Sequence, residues 1–304
     1  MILVTGAGGF IGRRLVSQFI SRGIEVISLY RSKQANIQDG SWEADLTRPD
    51  HISALKEARS IPKTVVHLAG HIEIALQPNR DEHLALPVPG KENIGQIYAS
   101  NVMATANLLD FCLHVGVGHL VFASSQTVYG MPGTEIITEE SPCAPLEHYA
   151  ASKVCCEKLL QIGVRQGIAV TVLRLPGIYS EERRDGVVYG FCKSALQKRK
   201  INVRADFPLP IDVIHIDDVI GAIEKTIYFG GLQWNCLNIS TGEACSLNIL
   251  ADSIAELIPG CEVNFSGVTQ PIVCMDSSKA HSALGWRAVS RRERLSTMIK
   301  NSQD

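Results

Sequence analysis

Short apolar runs alternate along the chain with segments in which apolar residues recur every three or four positions. Five of these runs predict buried strands, at residues 2–5, 25–31, 64–70, 119–125 and 169–174. In the segments between the runs, the spacing of apolar residues is typical of amphipathic helices. Strands that alternate with helices usually form a parallel sheet with helices on both faces. The pattern therefore predicts an α/β fold built on a doubly wound parallel sheet.

A glycine-rich turn separates the first predicted strand from the first helix. It places Gly6, Gly9 and Gly12 three residues apart, with Phe10 and Ile11 before the last of them. Glycines here let the backbone turn sharply and bring its N–H groups close to a pyrophosphate, while the helix N-terminus favours the negative charge. A turn without a ligand is the simpler alternative, but the strand–turn–helix context favours a dinucleotide.

The end of the second predicted strand bears on which dinucleotide binds. An acidic residue about 20 positions after the glycine motif would hydrogen-bond the ribose of NAD, but Tyr30 and Arg31 stand there. A guanidinium suits the additional phosphate of NADP. The alternatives are that Arg31 stacks on the adenine or points to solvent. The sequence favours NADP over NAD.

Tyr149, Lys153 and Ser125 are candidates for proton-transfer chemistry. Side chains four residues apart in a helix lie on the same face, and a nearby ammonium favours the phenolate form of a tyrosine. Ser125 ends a predicted strand at the edge that carries the glycine turn, where its hydroxyl can hydrogen-bond a substrate oxygen. The structural alternatives are an exposed helix with two amphipathic side chains and a serine that caps a turn.

Elements become shorter after residue 175. An apolar run from residue 211 leads into a helix, with Asp217 and Asp218 placed as its N-terminal caps. His215 is more typical of a hydrogen-bonded structural residue than of a ligand, because no metal-type partners are spaced around it, and no metal site is predicted. The irregular stretch 71–95 is long for a loop, and such loops are usually functional or mobile. It is a candidate wall of a substrate site.

The composition argues against several classes of function. The 304 residues, 45% of them hydrophobic, can fill a large core. The 29 basic and 31 acidic residues nearly cancel, so no strong field points to nucleic acid or an anionic membrane. No apolar run approaches the length of a membrane span. Nine cysteines without a Cys-x-x-Cys pair indicate a reducing compartment, and a strand that begins at Ile2 leaves no room for a signal peptide. We expect a cytoplasmic protein.

Several short motifs are spread over nearly the whole chain. They are Thr5-Gly6-x-x-Gly9-x-x-Gly12, Asp45-Leu46, His67-Leu-Ala-Gly70, Asn101, Ser124-Ser125-x-x-Val-Tyr-Gly130, Tyr149-x-x-x-Lys153, residues 174–179, His215-Ile-Asp-Asp-Val219, Asp276-x-x-Lys279 and Leu284-Gly-Trp286. Together they resemble the extended short-chain dehydrogenase/reductases, and within these the NAD-dependent epimerase/dehydratase group that includes the UDP-glucose 4-epimerases. The resemblance implies a Rossmann-type domain of residues 1–175, to which the 211–240 region returns. It also implies a smaller C-terminal substrate-binding α/β lobe, mainly residues 176–304.

The resemblance implies a role for each matched residue. Tyr149 would exchange the proton, Lys153 would hydrogen-bond the nicotinamide ribose and lower the pKa of the tyrosine, and Ser125 would orient the substrate oxygen. A homodimer through the helices at 101–115 and 149–165 is also implied. With Arg31 added from the argument above, the predicted cofactor contacts are Gly6, Gly9, Phe10, Ile11, Gly12, Arg31, Asp45, Leu46, Leu68, Ala69, Asn101, Tyr149 and Lys153.

Three departures from the group narrow the predicted reaction. Gln126 and Thr127 stand where sugar-nucleotide 4,6-dehydratases carry an Asp-Glu pair, so dehydration is not expected. Gly177 and Ile211 replace an asparagine and an arginine that commonly serve the nucleotide diphosphate. We expect hydride transfer at a hydroxyl or keto carbon of a nucleotide-activated sugar, by 4-keto reduction or epimerisation. The alternatives are a reductase of a non-nucleotide ketone or aldehyde and a non-catalytic NAD(P)-binding scaffold.

Overall fold

The computed structural model describes residues 1–32, 41–57, 61–72, 93–133, 135–205, 208, 210–229 and 233–301. Within these ranges the strands are β1 (Ile2–Thr5), β2 (Val26–Tyr30), β3 (Trp42–Glu43), β4 (Thr64–His67), β5 (His119–Ser125), β6 (Ile136–Ile137), β7 (Ala169–Leu175), β8 (Gly177–Tyr179), β9 (Lys200–Ala205), β10 (Val213–His215), β11 (Trp234–Asn238), β12 (Glu262–Gly267) and β13 (Cys274–Met275).

The helices follow the strands in regular alternation through the first half of the chain. They are α1 (Phe10–Ser21), α2 (Pro49–Lys56), α3 (Ile94–Tyr98), α4 (Ala104–Val115), α5 (His148–Val164), α6 (Gly186–Lys198), α7 (Ile216–Ile227), α8 (Leu247–Ala255), α9 (Ser278–Leu284) and α10 (Arg291–Asn301). A π-helical turn, Ala99–Met103, joins α3 to α4, and a 3-10 turn, Gln126–Tyr129, follows β5. The segment predicted as one helix at 101–115 therefore begins with a wider turn.

Seven parallel strands form the central sheet in the order β11-β7-β5-β4-β1-β2-β3. The chain runs outward from β1 in one direction and returns to β4 on its other side, where Thr5 pairs with His67. Doubly wound sheets bind ligands at the carboxyl ends of the strands beside such a reversal. The predicted α/β fold with a Rossmann-type doubly wound sheet is confirmed, and the β1–β4 edge is where a ligand is expected.

Apolar layers cover both faces of the sheet, which explains why its strands are nearly continuous apolar runs. Leu15 and Phe19 of α1 and Ile220 of α7 pack on one face. Leu108 of α4 and Leu160 of α5 pack on the other face. All five side chains are fully buried. Because β1 and β5 lie between these layers, the residues at their carboxyl ends are held in place.

The C-terminal part of the chain divides between the sheet and a separate cluster. β11 pairs with β7 and so adds the last strand of the central sheet. β9 and β12 form a small parallel sheet, against which α6 and α8 pack. Phe191 of α6, Leu250 of α8 and Leu295 of α10 share one core there. This cluster corresponds to the smaller lobe expected from the sequence. The boundary at residue 175 stays a prediction.

The start of α7 differs from the prediction. Its N-cap is His215, whose Nδ1 accepts a hydrogen bond from the Asp217 backbone N–H at 3.3 Å. Asp217 and Asp218 lie in the first turn instead, and Asp218 accepts two hydrogen bonds from Arg294, at 2.7 and 2.9 Å. The prediction that the aspartates are caps was wrong because Asp218 ties α7 to α10, a contact that local sequence does not reveal. His215 is buried and hydrogen-bonded, as expected for a structural residue.

Candidate active site

The glycine turn after β1 is packed backbone against backbone. Gly6 has φ +67°, and a Cβ added there would lie 2.7 Å from the Ala69 nitrogen. A Cβ added at Gly12 would lie 2.2 Å from the Gly6 carbonyl oxygen. Gly9 is the N-cap of α1 and donates its N–H to that oxygen at 2.9 Å. Any side chain at Gly6 or Gly12 would therefore push the turn apart, and the backbone at the helix start stays accessible to a diphosphate.

Phe10 and Ile11 occupy the first turn of α1. Both side chains are partly buried and pack on the core between α1 and the sheet. The Arg183 guanidinium carbon lies 5.2 Å from the centroid of the Phe10 ring. The same guanidinium donates to the Ile178 carbonyl oxygen at 2.9 Å. The segment that follows β8 thus contacts the glycine turn directly.

Asp45 and Leu46 lie just beyond β3, at the far side of the sheet from β5. The Thr47 backbone N–H and hydroxyl both donate to Asp45 Oδ1, at 2.9 and 2.7 Å. Partial burial alone would raise the pKa of Asp45, but these hydrogen bonds and the positive charge of Arg31 bring it below its ordinary value. Asn107 Nδ2 donates to the Leu46 carbonyl oxygen at 2.8 Å. The exposed Arg31 thus lies in the field of a carboxylate.

Lys153 is buried at the carboxyl edge of the sheet. Its Nζ donates to the Ala123 carbonyl oxygen at 2.9 Å and lies 4.7 Å from the centroid of the Phe122 ring. Among the residues the structure describes, the Ala123 carbonyl is the one hydrogen-bond acceptor of this ammonium, so donor capacity remains. Burial lowers the pKa of Lys153. A Cβ added at Gly70 would lie 3.3 Å from Nζ and 3.4 Å from Asn101 Oδ1, so a glycine at this position leaves both groups uncovered.

Tyr149 is half-buried in the first turn of α5, beside Ser125 at the end of β5. Burial and the Glu147 carboxylate raise the pKa of Tyr149, and a hydrogen bond with the Ser125 side chain opposes the rise. Lys153 Nζ lies 5.7 Å from the centroid of the tyrosine ring. The net pKa shift is therefore opposite to the lowering expected from Lys153. Helix spacing brings the pair together, but it does not account for burial of the phenol.

Ser125 has a second partner in the 3-10 turn that follows it. The Thr127 hydroxyl lies 3.0 Å from Ser125 Oγ, and the Thr127 backbone N–H donates to the same oxygen at 3.2 Å. Ser125 therefore both caps this turn and faces Tyr149. The functional and structural interpretations of this serine are compatible.

The structure brings most of the predicted site residues to one edge and leaves others at a distance. Ser125, Tyr149, Lys153 and Asn101 meet beside the segment that follows β4. Leu68 and Ala69, in that segment, donate their N–H groups to the backbone and side-chain oxygens of Thr5, at 3.3 and 3.2 Å. The group that includes Arg31, Asp45 and Leu46 lies beyond β2 instead, where β3 joins the sheet. The individual roles of all these residues stay predictions.

Two residues at this edge, Ser152 and Thr105, were not singled out from the sequence, and Gly70 was noted there only as the end of a motif. Gly70 faces Lys153 and Asn101, and Ser152 bridges the Asn101 side chain to the Tyr149 carbonyl, at 2.8 and 2.6 Å. The Thr105 hydroxyl donates to the Asn101 carbonyl at 2.6 Å. The signals were present: Ser152 lies inside the Tyr149-x-x-x-Lys153 motif, and Thr105 lies four residues after Asn101.

The substrate wall, metal ligands, membrane helices and disulfides considered in the sequence analysis can be examined only within the described residues. Residues 73–92 of the predicted substrate wall lie outside the described residues. Across the described ranges, no three His, Cys, Asp or Glu side chains converge as metal ligands. Likewise, no helix of the described chain has both the length and the apolar character needed to cross a membrane. All nine cysteines are free.

Comparison with known families identifies this arrangement. The sequence profile of the NAD dependent epimerase/dehydratase family matches residues 2–229. The chain belongs to the NAD-dependent epimerase/dehydratase family. The family resemblance inferred from the motifs is confirmed. In this epimerase/dehydratase-family protein, the glycine turn and the Tyr149 helix both lie inside the matched range.

Two curated relatives resemble this family member over most of its length. A protein of Methanocaldococcus jannaschii, provisionally named UDP-glucose 4-epimerase, is 30% identical over 94% of this chain and 93% of its own length. The dTDP-4-dehydro-6-deoxyglucose reductase of Escherichia coli is 27% identical over 94% of this chain and 92% of its own length. The two relatives are named for different reactions, so family membership alone leaves the reaction open.

The solved structures of MoeE5 provide a comparison of the fold and the cofactor. Its complex with UDP-glucuronic acid and NAD is 28% identical, covers 99% of this chain and 98% of its own, and superposes with a TM-score of 0.77. Its complex with UDP-glucose and NAD superposes with a TM-score of 0.78 at 27% identity. Both complexes contain NAD together with a UDP-sugar.

The predicted preference for NADP was wrong. The family is NAD-dependent, and the MoeE5 structures contain NAD. Arg31 suggested a partner for an additional phosphate, but its charge already acts on the carboxylate of Asp45. A guanidinium that faces a carboxylate has less net field to offer a phosphate than an isolated one. NAD is therefore the cofactor of the family to which this chain belongs.

Proposed function

We propose that the protein is an NAD-dependent oxidoreductase or epimerase that transfers a hydride at a hydroxyl or keto carbon of a nucleotide-activated sugar. The observation that carries the proposal is the meeting of Ser125, Tyr149 and Lys153 beside the glycine turn. A phenol, a hydroxyl and a buried ammonium at one sheet edge form a set that can move a proton to or from a substrate oxygen. The names of the relatives support a sugar nucleotide as the substrate.

The residues of the site fit NAD. Gly6 and Gly12 form a turn without side chains at the start of α1, and Gly70 leaves Lys153 and Asn101 uncovered. Bound NAD would supply the hydride acceptor and donor. The spare donors of Lys153 would hold the ribose hydroxyls, and the glycine turn would hold the pyrophosphate.

Ser125, Tyr149 and Lys153 would each have a separate role in the reaction. Ser125, oriented by Thr127, would donate a hydrogen bond to the reacting oxygen. Tyr149 would accept or return the proton of that oxygen. The ordinary pKa of a tyrosine, about 10, already keeps the phenol protonated at neutral pH. Burial raises the pKa of Tyr149 further, so its phenol can act as an acid toward a carbonyl. The charge of Lys153 would then assist removal of a proton in the reverse direction.

The segment after β5 argues against dehydration. Gln126 and Thr127 occupy the positions of the Asp-Glu pair by which 4,6-dehydratases eliminate water. Thr127 uses its hydroxyl at Ser125, and neither side chain is a carboxylate. We therefore propose 4-epimerisation or 4-keto reduction rather than dehydration.

A reductase of a non-nucleotide ketone or aldehyde is the second candidate. Gly177 and Ile211 lie where an asparagine and an arginine commonly serve the diphosphate. A Cβ at Gly177 would lie 3.2 Å from the Asp212 carbonyl oxygen, and Ile211 packs against the core of the C-terminal lobe. Neither position presents a polar side chain, which favours a substrate without a diphosphate.

One purification separates these functions. The protein as expressed is denatured, and the released cofactor is identified by absorbance and mass spectrometry. Retained NAD(H) supports an epimerase, which keeps its cofactor through the cycle, and leads to a test of UDP-glucose and UDP-galactose for inversion by NMR. Cofactor-free protein that consumes NADH with a 4-keto sugar nucleotide supports a reductase. Consumption of NADH with simple ketones alone would overturn the nucleotide-sugar proposal.

We also propose a homodimer through the α3–α4 segment and α5. Ile94, Met103 and Ile162 are 48, 54 and 62% exposed, and all three lie on these helices. The α3–α4 segment packs against α5, so the two are neighbours in the fold. Exposed apolar side chains on adjacent helices are typical of a contact with a partner.

Substitution of Ile162 by glutamate is expected to convert the dimer into a monomer, because a charge at the centre of an apolar interface leaves an unpaired carboxylate there. Light scattering coupled to size-exclusion chromatography measures the mass of each species. Ile61→Glu is the control, since Ile61 is 53% exposed but lies before β4, away from these helices. A monomeric parent protein, or a dimeric Ile162→Glu variant, would contradict the proposed interface.

A further inference from the structure

His67 lies at the end of β4, fully buried, with one partner on each ring nitrogen. The Thr5 hydroxyl is 2.7 Å from His67 Nδ1, and the Thr105 hydroxyl is 3.0 Å from His67 Nε2. Thr5 and Thr105 are also buried. Burial, together with the charge of Lys153, lowers the pKa of His67 to about 3, so the ring is neutral at physiological pH. A neutral imidazole has one donor and one acceptor, and their assignment follows from the partners.

The Thr105 hydroxyl decides the tautomer. Its oxygen lies 2.6 Å from the Asn101 carbonyl oxygen, which accepts hydrogen bonds and donates none. The hydroxyl hydrogen of Thr105 is therefore committed to Asn101, and Thr105 accepts from the His67 Nε2–H. His67 Nδ1 is then the acceptor and receives the Thr5 hydroxyl hydrogen. The Thr5 oxygen in turn accepts the Ala69 N–H at 3.2 Å. Each hydrogen bond in this series therefore has a defined donor and acceptor.

This chain of hydrogen bonds connects three segments that border the cofactor site. At one end, Thr5 closes β1 next to the glycine turn and holds Ala69. At the other end, Thr105 holds the carbonyl of Asn101 in the π-helical turn. π-helical turns occur frequently at functional sites, where they place one residue out of the regular helical pattern.

The connection continues from Asn101 to the Tyr149 helix. The Asn101 side chain accepts the His71 N–H at 2.6 Å and donates to the His71 carbonyl at 3.0 Å and to Ser152 Oγ at 2.8 Å. Ser152 then donates to the Tyr149 carbonyl at 2.6 Å. Polar chains of this kind orient every member once all of them are satisfied. Asn101 therefore connects the segment after β4 to the start of α5 by hydrogen bonds.

We propose that His67 is a positioning residue for NAD, acting through Thr5 on Ala69 and through Thr105 on Asn101. The proposal rests on the proposed function only in that the site binds NAD. It does not depend on which sugar reacts. His67 itself is walled off from ligand by its two threonine partners and by Phe122, whose ring centroid lies 5.6 Å away. Its effect on NAD is therefore indirect.

Paired substitutions at the threonines test the proposal. Thr105→Val keeps the shape of the side chain but leaves the His67 Nε2–H unpaired and leaves the Asn101 carbonyl with the weaker hydrogen bond from the Cys156 thiol, at 3.4 Å. Thr105→Ser keeps the hydroxyl. We expect Thr105→Val to weaken NAD binding roughly tenfold, because a buried donor without a partner forces the segment to rearrange, and Thr105→Ser to bind nearly as the parent does. Isothermal titration with NAD measures both.

Stability needs a separate control, since a buried valine also changes packing. Leu108→Val removes a methylene from the same helix, at a fully buried position outside the hydrogen-bond chain. It is expected to lower the melting temperature without changing NAD affinity. Equal NAD affinity in Thr105→Val and the parent, or an equal loss in Leu108→Val, would overturn the proposal. A parent protein that binds no NAD would refute the proposed function instead.

Thr5 and Thr105 lie at opposite ends of the hydrogen-bond chain through His67, and the NAD affinity of variants at both ends provides a second test. Thr5→Val should weaken NAD binding as Thr105→Val does, with Thr5→Ser as its conservative partner. If both act through His67, the double variant Thr5→Val/Thr105→Val loses little more affinity than either single variant. Additive losses would show two unconnected effects and contradict the proposal. Failure of both valine variants to fold would also contradict it, since the chain would then support the fold rather than the cofactor.

Discussion

Tyr149→Phe is expected to bind NAD as the parent does and to lose turnover by roughly 10²–10⁴-fold. The substitution removes the phenolic oxygen and leaves the ring beside Lys153 and the sheet edge. Since the hydroxyl hydrogen-bonds Ser125 and the ring of residue 149 and the Lys153 ammonium both stay, the loss falls on the proton-transfer step. Isothermal titration measures NAD affinity, and turnover is measured by NMR with the sugar nucleotide that the purification experiment selects.

Tyr98→Phe is a matched control for that variant. Tyr98 ends α3, and its ring centroid lies 6.0 Å from that of His148, the residue before Tyr149. It therefore loses a hydroxyl close to the same helix start but outside the proton-transfer set, and full activity is expected. Full activity in Tyr149→Phe as well would refute the assigned mechanism and favour a scaffold that binds NAD without chemistry. Loss of NAD binding in Tyr149→Phe would instead assign the tyrosine to the cofactor site.

Arg174→Met is expected to lower the free energy of unfolding by about 3–5 kcal/mol. Arg174 and Glu157 form a buried ion pair in which the Arg174 Nε and Nη2 donate to separate carboxylate oxygens at 3.1 and 2.7 Å. Their side chains are 7 and 6% exposed. Methionine fills much of the volume but leaves the Glu157 carboxylate buried without its counter-charge. Urea-induced unfolding measures the loss.

The double variant Glu157→Gln/Arg174→Met separates charge from packing. Glutamine removes the uncompensated charge and can still accept the Ser124 hydroxyl, which donates to Glu157 at 2.5 Å. The double variant should therefore be more stable than Arg174→Met alone. A double variant that is less stable than the single one would show that the Glu157 carboxylate, through the hydrogen bond it accepts from Ser124, stabilises the fold by more than its unpaired charge costs.

The strands and the placement of Tyr149 and Lys153 on one helix face could be predicted from local pattern. The run at 119–125 became β5 with the same bounds, and Tyr149 and Lys153 lie on one helix, as their spacing indicated. These features depend on residues that are neighbours in sequence. Alternation of apolar and turn residues is decided within a few positions, so the sequence shows it directly.

Features that depend on distant partners were not accessible. The π-helical turn at Asn101 accompanies hydrogen bonds from its side chain to the backbone of His71, thirty residues away in sequence. The interpretation of Arg31 as a partner for the NADP phosphate did not take into account the Asp45 carboxylate, on which the charge of Arg31 acts. The pKa of Tyr149 rises through burial, which helix spacing does not predict. In each case a long-range contact overrides the local signal.

The π-helical turn makes this site unusually sensitive to insertion and deletion. A π-helical turn holds one residue more than an α-helical turn, so deleting one residue within Ala99–Met103 would restore a uniform helix from α3 into α4. The wider turn accommodates its additional residue by departing from the α-helical pattern, so the deletion would change which side chain faces His71 and Ser152. The helix itself would gain regular hydrogen bonds while Asn101 lost His71 and Ser152. A uniform α-helix would thus have the more regular backbone, but it would not assemble the site.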